Sequence, residues 1–350
     1  TADGVAFPMA SLTLGAGGNT TLNLLVITGT NAPIIATNLT ATGTATINIS
    51  GSTKVGEVPL IRYSTFTGTI GNFAVTPLAP QVVAVLTNNT STKPISLLIT
   101  SVSSVTWSGV NAPNWDLGST TNWLSGATPT VFINEGAALF DNTSASGSVS
   151  IRTLVSPASV KVNNDSSRSY TFTAASASAG IGGNGGLTKL GTGTLTLTSV
   201  TNSFSGSTVI GGGRVLVSAH TANAAGATML EFSTNSILIT NSAFLDVAGV
   251  SGSGTIWPQF FANAITINGG SIFAGDGGQY FIGPMSIGAN GASLGQQQVN
   301  KRLYVNGVVT GSGPIDVPVP GGINDAIHTA GGSGYSGVEF SSPENPYNGT

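Results

Sequence analysis

Four charged residues fall at nearly regular intervals: Asp141, Asp165, Lys189 and Arg214, separated by 24, 24 and 25 residues. In a chain that coils with turns of that length they would stack into one column. Carboxylates on successive turns with a cation beside them could hold Ca²⁺ or do acid/base work on an acidic polysaccharide. Paired hydrolytic carboxylates would also have to share one face. The supply is thin, with 13 acids, 10 Lys and Arg and two histidines in 350 residues.

Trp107, Trp115 and Trp123 are spaced by eight residues each. Presented together, their indole faces would form a platform for the apolar faces of sugars; packed together they would be a core, which is the favoured expectation. Other chemistries find less. No Gly-x-Ser-x-Gly elbow occurs, and His220 and His328 stand in no motif. Gly-x-Gly-x-x-Gly occurs at Gly180–Gly185 and Gly332–Gly337, but no helical pattern follows either, so both are expected to be turns. The absence of cysteine excludes disulfides, thiolate metal sites and cysteine nucleophiles. No catalytic, cofactor-binding or metal-binding residue is assigned.

The elements that must position these residues are short strands. Apolar residues alternate with Thr, Ser or Asn at Leu12–Leu14, Ala45–Ile49, Leu195–Thr198, Ile237–Ile239 and Ile265–Ile267, and Gly and Asn interrupt the runs. Charged residues make up only 7% of the chain, against about 25% in an ordinary soluble domain. Its 40% apolar content and mean hydropathy of +0.28 exclude disorder, and its 49 glycines follow no collagen period. Thr, Ser and Asn must therefore wet the surface, and Asn can also stack in ladders along parallel strands. A net charge of −3 argues against nucleic acid as a partner, and no apolar run is long enough for membrane insertion by a helix.

One stretch is specific. Gly186-Leu-Thr-Lys-Leu-Gly-Thr-Gly-Thr-Leu-Thr-Leu-Thr198, then Asn202-Ser-Phe-Ser-Gly206-Ser-Thr-Val-Ile210 and Arg214-Val-Leu-Val217, resembles the bacterial autotransporter-associated β-strand repeat. Ser207 and the Arg214–Val215 pair are its small departures from that pattern. A degenerate second copy is expected at Val338–Gly349, 143 residues on. Trp107–Trp123 with Phe140-Asp-Asn142 is similar to the segment that often precedes the repeat in large surface proteins, and Pro59–Gly68 with Ile95–Thr100 to the closing coils of an upstream unit.

The resemblance implies an all-β, right-handed parallel β-helix, a solenoid in two units separated by a Trp-bearing capping insert. The expected divisions are 1–105, closing an upstream unit; 106–150, the insert; and 151–350, the repeat β-helix, continuing past Thr350. It also implies a non-catalytic structural or adhesive protein of the bacterial cell surface, self-associating into a fibre or layer or meeting surface glycans. Because Lys189 and Arg214 belong to the repeat, they are expected on a recurrent solvated edge. The alternatives are a polysaccharide lyase or hydrolase on the same scaffold and a carbohydrate-binding module.

Overall fold

The computed structural model describes residues 6–26, 31–51, 55–76, 78–198, 200–218, 232, 234–247, 259–274, 279–296, 302–318, 337–342 and 346–349. Nearly every described element is a strand; the helical element among them is one 3-10 turn at Ile70–Asn72. The chain forms two compact units, Thr1–Val105 with Leu124–Ala137, and Thr106–Trp123 with Ala138–Thr350. The stretch 106–150 is thus divided between them.

In the first unit, Phe7–Leu14, Ile34–Ala41 and Gly56–Thr67 stack in parallel as one sheet, and Thr20–Val26, Ala45–Gly51 and Phe73–Val75 as another. Leu14, Leu39, Ile47, Leu60 and Phe73 fill the space between. Asn23 and Asn48 are register partners, and the Asn48 amide donates to the Asn23 carbonyl oxygen at 2.7 Å. This is the expected amide ladder, one rung long. The parallel pattern stops at Gly56–Thr67, against which Pro94–Val102 runs antiparallel, followed by antiparallel Val82–Asn88. A tight reversal makes this possible: the Asn89 side chain accepts the amides of Ser91 and Thr92, and Lys93 turns at φ 61°. Parallel strands need a long crossover, whereas a short reversal dictates antiparallel pairing.

The second unit is a parallel β-solenoid with three faces. Nine strands form the first face, from Asn114–Trp115 through Ser148–Ile151, Tyr170–Ala174, Thr194–Thr198, Arg214–Ser218, Phe244–Val247, Gly270–Ala274 and Ala292–Gln296 to Ile315–Asp316. The second face carries Ser159–Asn163, Leu187–Leu190, Thr208–Ile210, Ile237–Thr240, Ile265–Asn268, Met285–Ile287 and Val309–Gly311. The third carries Leu154–Val155 on Gly180–Ile181 and, later, Gln259–Phe261, Gln279–Phe281, Arg302–Val305 and Gly337–Phe340.

Period-2 alternation turns every second residue inward, and in-register stacking makes those residues into ladders. On the first face, Tyr170, Leu195, Val215, Leu245, Ile272 and Leu294 are successive partners and all are buried. Each such side chain contributes about 1.5–3 kcal/mol relative to exposure. The coils are not equal in length. Twenty residues separate Leu195 from Val215 and thirty separate Val215 from Leu245. The expected second copy of the repeat is displaced: Val338 pairs with Leu303 on the third face, whereas Leu195 lies on the first.

Candidate functional site

The stretch most specific in sequence spans two stacked coils, its first two strands pairing in register with its last two. Its strands are Leu187–Leu190, Thr194–Thr198, Thr208–Ile210 and Arg214–Ser218, so it touches the second face, the first, the second again and the first again. Leu187, Leu195, Leu197, Phe204, Ile210, Val215 and Val217 all point into the core. The Asn202 carbonyl oxygen accepts the Ile181 amide at 2.8 Å and ties its corner to the coil before. Gly206 lies where a Cβ would come within 2.6 Å of Gly185 and of the Gly186 nitrogen, so only glycine lets these two corners touch.

Lys189 corrects the sequence reading. Instead of lining a solvated edge it sits in the inward ladder of the second face, between Val162 and Ile210, with none of its surface exposed. Its stem takes the place of a core aliphatic side chain. Its Nζ donates to the carbonyl oxygens of Leu190 at 2.6 Å, Gly191 at 3.1 Å and Gly212 at 3.3 Å. Burial pulls its pKa down from 10.5 to about 8. Chain reversals at Gly191 (φ 69°) and Gly213 (φ 61°) bring these carbonyls around Nζ, and one ammonium with three donors serves all three.

The remaining members of the supposed column lie elsewhere. Arg214 is on the outer side of the first face, where it forms an ion pair with the largely buried Asp246 carboxylate. Asp141 and Asp165 occupy stacked corners. The Asp141 carboxylate accepts the amide and hydroxyl of Thr143, and Asp165 those of Ser167. The Asn142 side chain donates to Asp165 at 2.5 Å and accepts its amide at 2.9 Å. The Ser167 hydroxyl and amide hold the Asp165 carboxyl below its ordinary range. Regular spacing stacks Asp141 with Asp165 but does not extend to a four-residue column, because Lys189 turns into the core of the second face and Arg214 stands on the outer side of the first. Among the described residues no three His, Cys, Asp or Glu converge as a metal site. His220 and His328 lie outside the described residues.

Trp107, Trp115 and Trp123 are wholly buried, so their faces meet aromatic neighbours and are not offered to a sugar. Trp107 and Trp123 cross edge-to-face at 5.1 Å, and Trp115 and Trp123 at 5.3 Å. Phe140 lies 5.4 Å from Trp115 and 4.8 Å from Phe172. The Trp107 indole donates to the Ser146 carbonyl at 2.9 Å. Nearby, the fully buried Asn122 donates to the Asn114 carbonyl and accepts the Asn111 amide, each at 3.0 Å.

Residues 187–217 match the family model of the passenger-associated-transport-repeat. The chain carries an autotransporter-associated β-helix repeat. The match begins at Leu187, includes Lys189 and ends at the buried Val217. No curated protein and no solved structure matches the chain. Within the matched stretch of this chain the apolar residues form ladders, Lys189 donates to corner carbonyls, Asn202 accepts the Ile181 amide, and Gly206 lets two corners touch.

Proposed function

We propose that this chain is a non-catalytic structural segment of a secreted bacterial surface passenger, a β-solenoid whose work is to hold and space what it carries outside the cell. One observation supports the reading above the rest. The distinguishing residues of the repeat, Lys189 and Asn202 included, are consumed in building the coil and present no reactive group to solvent. A motif kept for catalysis would place such groups in a cleft. A solenoid held together by ladders contributes length and resistance to unfolding, because each coil buries its face against its neighbours. The passenger repeat also favours a secreted or surface location.

The test is incubation of the purified chain with uronate and neutral polysaccharides, with and without Ca²⁺, alongside protease challenge of the displayed protein. The expected outcome is no product, and loss of protease resistance in the Lys189→Met variant. Product release that disappears in Asp165→Ala would overturn the proposal in favour of an enzyme.

A further inference from the structure

The first face of the second unit carries an outward row that the sequence reading does not single out. Register places Arg214, Phe244, Ser271, Ser293 and Asp316 one above another on successive coils. At about 4.8 Å per coil, Phe244 to Asp316 spans about 14 Å. Phe244 is 42% exposed, and its register partner on the next coil is the hydroxyl-bearing Ser271. Beside it lies Phe273, with ring centroids 6.0 Å apart and planes 32° from parallel. The Phe273 ring lies over Gly295, where a Cβ would come within 2.8 Å of it, so the absence of a side chain there gives the ring its resting place.

Beyond the rings the row runs into a groove of about 360 Å³, lined by Ser271, Asn290, Ser293 and Asp316 together with glycine backbone. That volume falls within the range of small-ligand sites. Charge narrows the choice of ligand. The guanidinium of Arg214 is already paired with Asp246, which leaves the Asp316 carboxylate as the free charge of the row. An anionic polymer would meet repulsion without a compensating cation. A neutral chain with apolar faces and many hydroxyls would meet aromatic rings at one end and hydroxyl, amide and carboxylate groups at the other.

We propose that this row is a binding site for a neutral, extended oligosaccharide laid along the solenoid axis, from Phe244 to Asp316. Binding here involves none of the residues of the passenger repeat except Arg214, so the site is independent of the scaffold role.

The 350-residue chain is titrated calorimetrically with cellotetraose, mannotetraose and tetragalacturonate at up to about 10 mM, a range that detects the weakest specific binding. At least one neutral tetrasaccharide is expected to bind in preference to the uronate. Phe244→Ala should weaken it by about tenfold, the loss of one stacking contact. Ser293→Trp, which fills the groove, should abolish it, and both variants should keep the wild-type far-UV circular dichroism. Binding of neither neutral sugar, equal binding by both variants, or tighter binding of the uronate would overturn the proposal. Chromatography of the same mixtures separates this outcome from the scaffold reading, because cleavage would defeat the latter whether or not Phe244 matters.

Discussion

Lys189→Met replaces a buried ammonium with an apolar side chain of similar length, and its effect has two opposed parts. Burial lowers the folded-state pKa of Lys189 from 10.5 to about 8. At about 1.36 kcal/mol per pH unit, holding the charge inside the coil costs the wild type about 3 kcal/mol at pH 7. The Met variant recovers that cost. It also removes the ammonium that donates to the carbonyls of Leu190, Gly191 and Gly212. A hydrogen bond to a charged group contributes about 1.5–3 kcal/mol, so the loss of three outweighs the recovery. The variant should be less stable at pH 7 by about 3 kcal/mol.

The pH dependence has a definite sign. Between pH 8 and 10.5 the folded protein has released the proton while the unfolded chain still binds it, so wild-type stability rises with pH. The rise amounts to about 2 kcal/mol by pH 9.5 and is missing in the Met variant. Urea unfolding of both proteins at pH 7 and pH 9.5, followed by circular dichroism, measures the gap and its widening. A Met variant as stable as wild type at pH 7, or a gap that does not widen, would refute the account of Lys189 as a corner clamp.

Trp115→Ala empties the centre of the aromatic cluster and should cost about 3–5 kcal/mol, seen as a lower urea midpoint and a collapsed near-UV spectrum, with oligosaccharide binding at Phe244 unchanged. Gly206→Ala forces a Cβ within 2.6 Å of the Gly185 backbone, and backbone cannot rotate away. The passenger-repeat coils should open locally, with cleavage between 187 and 217 under limited proteolysis that the wild type resists. Asn202→Ala leaves the buried Ile181 amide without its acceptor, at about 1–3 kcal/mol, and should speed hydrogen exchange of that amide ahead of its neighbours.

Some of this architecture is legible in the residue order because it is local. Leu195-Thr-Leu197 alternates with period two, and a strand with that pattern buries Leu195 and Leu197 whatever lies beyond it. The resemblance to the passenger repeat names the fold because its Leu, Lys, Asn and Gly positions are each a packing requirement. Charge position is not legible in this way. Lys189 reads as a solvated residue, since a lone lysine between polar neighbours is normally outside. Only parity along its strand, counted from Leu187, points it inward.

The sequence alone determined that this protein is built of short strands with an uncharged polar surface, and that residues 187–217 coil as a passenger repeat. Those properties follow from side-chain alternation and from glycines at corners. The tertiary structure alone decided which residues meet. Of the evenly spaced Asp141, Asp165, Lys189 and Arg214, the first two stack at corners, while Lys189 turns into the core of the second face and Arg214 stands on the outer side of the first. Register between coils gathers Phe244, Ser271, Ser293 and Asp316, which have no common spacing, into one row. Stacking neighbours are fixed by hydrogen-bonded register between coils and not by distance along the chain.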